Sequence, residues 1–136
     1  EEEREMIPLC RDQGVALLPW TPLARGFLAG NRQRGDKEAG ATSRAQTDDI
    51  AQNYYYRDSD FQVVEALSAL AAKRGLSNAT LAYAWLLHKG VTAPIVGASK
   101  AHQLDQAAAA IEVRLSEEEI AALQKPYEPH PILGHV

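Results

Sequence analysis

Two short apolar runs, Val15-Ala16-Leu17-Leu18 and Ala93-Pro94-Ile95-Val96, stand between stretches whose apolar residues recur at helical spacing. A run this short and this uninterrupted is expected of a strand covered on both faces in a parallel sheet. Strands that alternate with helices imply parallel strands joined by crossover helices. The flanking stretches supply those helices. Residues 2 to 13 place Met6, Leu9 and Cys10 on one face, and Gly14 ends the pattern. Asp60 is a candidate cap for a helix that carries Val63, Val64, Leu67, Leu70 and Ala71 as far as Gly75. Ser77 can cap a second, with Leu81, Ala84, Trp85 and His88 on one stripe and Gly90 as its stop, and the two are expected to be neighbours. Gly97-Ala98-Ser99 turns into a helix carrying Leu104, Ala107, Ala108 and Ile111. Ser116-Glu117-Glu118-Glu119 opens the last one as a capping box and buries Ile120 and Leu123. From Trp20 to about Asp58 the pattern lapses into a long loop with room for a short helical turn.

Two strands do not make a stable open sheet. An eight-unit βα barrel needs roughly 250 residues, so a chain of 136 residues supplies about half of one. Residues 1 to 136 are therefore expected to form one incomplete domain, a piece of something longer that opens inside a helix at Glu1. A formal charge of −4 argues against a nucleic-acid or anionic-membrane surface, both of which need an excess of Lys and Arg. No apolar run approaches the roughly 20 residues that span a bilayer. One cysteine, Cys10, forms no internal disulfide and fits a reducing compartment, so a cytoplasmic location is expected. The histidines lack the spacing of a metal site, and no metal is expected.

The residues with chemistry to offer follow the two apolar runs. After the first comes Pro19-Trp20-Thr21-Pro22-Leu23-Ala24-Arg25-Gly26-Phe27-Leu28-Ala29-Gly30. An indole can stack on a flat heterocycle, and a hydroxyl with backbone N–H groups in a tight turn can bind phosphate oxygens. The bland alternative is a turn with a core Trp and a solvated Arg. After the second comes Gly97-Ala98-Ser99-Lys100-Ala101-His102-Gln103-Leu104, a strand end leading into a helix N-terminus, where unpaired N–H groups favour anions. Its alternative is a capped helix with a solvated Lys.

Together these two stretches resemble the aldo-keto reductases, in the branch of bacterial oxidoreductases of the YajO and Tas type that is related to the potassium-channel beta subunits. The ending Lys125-Pro126-Tyr127-Glu128-Pro129-His130-Pro131-Ile132-Leu133-Gly134 resembles the tail of the same branch. The resemblance implies the C-terminal half of a (β/α)8 barrel, with two parallel strands and flanking helices, and NADPH (NADP+) as cofactor. The family's W-S-P-L-A-x-G turn assigns Trp20, Thr21, Pro22, Leu23, Ala24, Arg25 and Gly26 to the nicotinamide and pyrophosphate, Thr21 standing where Ser is more usual. Its G-x-S-x-x-x-Q-L pattern assigns Gly97, Ser99, Lys100 and Gln103 to the 2′-phosphate and adenosine. Gln106 and Ala107 match positions where the family has Glu and Asn facing adenine, and only Gln106 keeps a hydrogen-bonding group. In the long loop, which offers Arg32, Arg34, Lys37 and Arg44, the arginine of Ala41-Thr42-Ser43-Arg44 matches a basic belt over the cofactor. Tyr54-Tyr55-Tyr56 reads better as an anchor of that loop on apolar surface than as a substrate rim.

The family's catalytic Tyr, Lys, Asp and His come from the other half of the barrel, and no tyrosine here lies in a matching context. The resemblance thus implies an NADPH-dependent reductase of aldehydes or ketones as the whole protein, with a small carbonyl substrate, while this chain contributes the cofactor site and no catalytic residue. Its exposed sheet edges imply pairing with the missing half or with a second copy. A cofactor-sensing regulatory or binding module, as in the channel subunits, is the other reading.

Overall fold

In the computed structural model, residues 2–32 and 54–130 are described. The first helix, α1, spans Met6–Asp12 and stops at Gly14, whose φ of +66° is the left-handed ending that glycine takes without strain. It is shorter than residues 2 to 13, and its expected inner face is not covered: Met6 and Leu9 are more than half exposed. A single 3-10 turn, Ala24–Gly26, lies in the loop that follows. Helix α2 covers Asp58–Arg74 and ends at left-handed Gly75. Its N-cap is Arg57 rather than Asp60, which acts from the first turn instead: the Asp60 Oδ2 accepts the Arg57 N–H at 2.9 Å. Helix α3, Asn78–His88, begins as expected at Ser77, whose Oγ accepts the Thr80 N–H at 3.0 Å. Asn78 Nδ2 donates to Ser68 Oγ at 2.8 Å and ties α3 to α2. Helix α4 covers Ala101–Ala109 and runs into a second 3-10 turn, Ala110–Glu112. Helix α5, Glu117–Gln124, has the capping box expected at Ser116.

The core sits among α2, α3, α5 and the turn after α4. Leu67, Leu70, Leu81, Tyr83, Ala110, Ile120 and Leu123 are buried there, and Trp85 packs against the cluster half-buried, while His88, on the same stripe, is exposed. A second cluster gathers Phe27, Phe61 and Val64 with Tyr55 and Tyr56. Phe27 meets the Tyr56 ring edge-on at 5.3 Å and stacks on Tyr55 at 6.0 Å. These tyrosines anchor the chain on apolar surface.

The two expected strands are not regular ones. The segments 15–19 and 93–97 do run side by side in the parallel sense. The Leu17 O accepts N–H groups from Thr92 and Ala93 at 3.0 and 3.2 Å, and two residues further on the Pro19 O accepts the Ile95 N–H at 2.9 Å. A parallel ladder also needs bonds in return. The return donor beyond Leu17 would be residue 19, a proline without an N–H, and the Leu17 N–H goes to the Thr92 hydroxyl at 3.0 Å instead of to a backbone carbonyl. Among the described residues the pair is thus one-sided, and no strand is formed. Its side chains are open as well: Val15, Leu18 and Ile95 are more than half exposed. Helix α4 and the turn after it are likewise less covered than expected, with Leu104 and Ile111 turned to solvent.

Candidate functional site

The bond from Ile95 to Pro19 decides the geometry. Trp20 follows Pro19 directly and Gly97 lies two residues past Ile95, so both sequence-predicted turns leave the paired segments at the same end. That end is the C-terminal one, where ligand sites of parallel α/β architectures lie.

In the first turn Trp20 is 69% exposed, so it is not a core residue. Thr21, Pro22, Leu23, Ala24, Arg25 and Gly26 are all half-buried, and Leu23 and Leu28 pin the turn to the main core while Phe27 pins it to the aromatic cluster. Three non-glycine residues here, Thr21, Ala24 and Arg25, have φ between +48° and +57°. Each such conformation costs of order 1–3 kcal/mol and clusters at ligand clamps. One expectation is corrected. The N–H groups of Ala24 and Gly26 turn inward, to the carbonyls of Thr21 and Leu23 at 2.9 Å each, because the chain closes on itself here as a 3-10 turn. They are not donors for a phosphate.

The second turn differs. Ser99 and Lys100 are exposed, and three of their donors converge on one oxygen. The Gln103 Oε1 accepts the Ser99 N–H at 2.8 Å, the Lys100 N–H at 3.1 Å and the Ser99 hydroxyl at 3.4 Å. Gln103 therefore caps its own helix, where adenosine contact was expected of it. The same donors, on a turn that carries the cationic Lys100, are what a phosphate oxygen requires. Gly97 has no positive φ, and a Cβ there would meet nothing within 4 Å, so its backbone does not demand glycine. Gln106 is held by its main chain: its carbonyl accepts the Thr80 hydroxyl at 3.1 Å, which docks α4 on α3.

Arg44, Arg34 and Lys37 lie outside the described residues. Arg32, read from sequence as part of a basic loop, is only 6% exposed, and its Nε donates to the Tyr56 hydroxyl at 3.0 Å. It is a structural tie of the loop to the aromatic cluster. A separate apolar cavity of about 640 Å³ lies between α1, α2, α3 and α5, lined by Ile7, Leu67, Trp85, Leu86 and Leu123. Of the predicted cofactor residues only Pro22 reaches it, so it is not the cofactor site. Sequence reasoning missed Thr92 and the strained φ values. A threonine beside an apolar run carries no distinguishing signal, and left-handed Ala or Arg carries none at all. Among the described residues no group of three metal-ligating side chains occurs, and no helix is long and apolar enough to cross a membrane.

The Aldo/keto reductase family profile matches residues 1–128, and the chain belongs to that family. A Schizosaccharomyces pombe protein that carries an aryl-alcohol dehydrogenase name is 45% identical over 136 residues, which are 100% of this chain and 37% of that protein. The versiconal hemiacetal acetate reductase of Aspergillus parasiticus is 42% identical over 135 residues, 97% of this chain and 38% of its own length. The chain thus spans under two-fifths of the length of these relatives. Among solved structures, a glycerol dehydrogenase from Gluconobacter oxydans shares the fold, with a TM-score of 0.74 at 24% identity, over 99% of this chain and 42% of that one.

Proposed function

We propose that the chain is the cofactor-binding, C-terminal portion of a (β/α)8 barrel in an NADPH-dependent oxidoreductase that reduces aldehydes or ketones. The observation that carries this is the Ile95 to Pro19 bond, which sets the Trp20 turn and the Ser99 turn at one end of a parallel pair. The donor set fits the cofactor in parts. An exposed indole at Trp20 offers a face for the nicotinamide, and the donors of Ser99 and Lys100 that meet on the Gln103 oxygen suit a 2′-phosphate, which NADPH has and NADH lacks. Bound there, the cofactor supplies the hydride for carbonyl reduction. This chain's residues bind and orient it, and Gln103 gives way to the phosphate. The catalytic Asp, Tyr, Lys and His belong to the part of the polypeptide that this chain does not span, so the chain does not turn over alone. Within the reading fall its place in the YajO and Tas branch, a cytoplasmic location and pairing with the rest of the barrel or a second copy. The names of the two relatives, a dehydrogenase and a reductase, support the reaction class.

Titration of the chain with NADPH and NADH, followed by tryptophan emission, tests this. Trp20 is exposed and reports on the nicotinamide, while half-buried Trp85 gives a constant background. NADPH is expected to quench at lower concentration than NADH. Lys100→Ala is expected to weaken NADPH by about tenfold or more, the factor carried by one charge-assisted contact, and to leave NADH unchanged. Equal binding of both nucleotides, or quenching by neither, overturns the reading.

A further inference from the structure

We infer that Thr92 is a positioning residue, one that sets the register of the two cofactor-facing turns. The inference rests on the reading of those turns as one site. Thr92 and Leu17 exchange two hydrogen bonds: the Thr92 N–H donates to the Leu17 O at 3.0 Å, and the Leu17 N–H donates to the Thr92 Oγ1 at 3.0 Å. Among the described residues, every other backbone hydrogen bond between the segments runs one way, from the N–H groups of Ala93 and Ile95 to the carbonyls of Leu17 and Pro19. The proline at 19 explains this, since it has no N–H to return. A set of bonds in one direction is a weak gauge of register, because one slipped carbonyl can replace another. The Thr92 hydroxyl is a side-chain acceptor at a single position, and it fits only when Leu17 lies opposite. From that point the chain has three residues to Trp20 on one side and seven to Ser99 on the other, so a slip at Leu17 moves one turn past the other.

Thr92 is exposed, so loss of its hydroxyl leaves no hole in the core, and Val keeps its shape and its branched Cβ. The experiment compares Thr92→Val and Thr92→Ser in the chain. Amide exchange at Ala93 and Ile95 is expected to speed up about fivefold in Thr92→Val, the factor carried by one ordinary hydrogen bond, and to return in Thr92→Ser. The amides of Leu81 and Tyr83 in the core are expected to stay as they are. NADPH, which spans both turns, is expected to bind about fivefold more weakly to Thr92→Val. The adenosine 2′-phosphate half of the cofactor alone, which reaches only the Ser99 turn, is expected to bind equally well. Unchanged exchange at Ala93 and Ile95 overturns the proposal, and so does an equal loss of both ligands. If the unaltered chain binds no NADPH, the reading of the site falls, and the exchange measurements still decide the role of Thr92.

Discussion

Leu81 has no exposed surface and stands where α3 meets α2 and the turn after α4. Truncation there removes buried methyl groups and leaves a cavity between elements that contribute separately to the core. Leu81→Ala is expected to cost about 2–5 kcal/mol in urea unfolding followed by far-ultraviolet circular dichroism. A loss below about 1 kcal/mol would mean that the site collapses freely or that the chain is not packed there. Tyr83, two residues on, is a different case because it titrates. Burial pushes its phenol above the ordinary value of 10.0. A raised phenol means that the unfolded chain loses its proton first as pH rises. The contribution of the neutral, buried Tyr83 is therefore complete below about pH 10 and drains away as pH climbs through the folded value. Unfolding curves at about pH 9 and about pH 11 are expected to show a decline that Tyr83→Phe reduces. An identical decline in both proteins would place the alkaline sensitivity elsewhere.

The start of α5 shows how an element can be fixed from its own first turn. The Ser116 Oγ accepts the Glu119 N–H at 3.3 Å, and the Glu119 Oε2 accepts the Ser116 N–H at 2.9 Å. Arg74, from the last turn of α2, then grips both Glu119 oxygens at 2.8 and 2.9 Å. The Ser116 N–H above all, and Arg74 after it, hold the Glu119 carboxyl below its ordinary value of 4.5. A depressed carboxyl stabilises above its unfolded value, and that contribution is lost as pH falls through the folded one. Glu119→Gln is thus expected to flatten the acid side of the stability profile below about pH 4.5. An unaltered profile would show that Glu119 adds nothing through its charge. Ser116→Ala is expected to cost about 1 kcal/mol at neutral pH by loss of the cap. This box was legible from Ser116 and Glu119 alone, because capping is a local matter of residue type and spacing. So were the ends at Gly14, Gly75 and Gly90, each with a positive φ. The paired segments at 15–18 and 93–96 were legible only as apolar runs. Whether a ladder closes depends on which N–H groups face which carbonyls, and Pro19 and Thr92 settle that in space. Of the candidate site, the two turns were legible as motifs that follow the two apolar runs. The self-cap by Gln103 and the inward N–H groups of Ala24 and Gly26 were not, because they depend on side-chain and backbone rotations that sequence does not encode locally.

For the molecule as a whole, the unequal distribution of covered and uncovered apolar surface has a direct consequence. Between α2, α3 and α5 the apolar side chains are buried, whereas on α1, the paired segments, α4 and the turn after it seven large ones stand more than half exposed: Met6, Leu9, Val15, Leu18, Ile95, Leu104 and Ile111. The same region has a backbone edge. The Leu17 and Pro19 carbonyls face segment 93–97, so Ala16 and Leu18 point their N–H and carbonyl groups the other way. An unpaired edge beside apolar side chains is a template for another strand, and a sheet needs three or more strands to be stable in water. The chain in isolation is therefore expected to associate. Sedimentation velocity should show species that grow with concentration, and the dye ANS should bind strongly at low concentration. Leu18→Lys places a charge on the edge without touching the core, and it is expected to restore a monomer and reduce ANS binding. The second result matters because it separates edge pairing from general unfolding: an unfolded chain would not be made monomeric by a single lysine. A monomer at all concentrations that binds no ANS would show that this surface needs no strand beside it. The proposal that the chain is a portion of a barrel would then lose its physical basis, even though its family membership would stand.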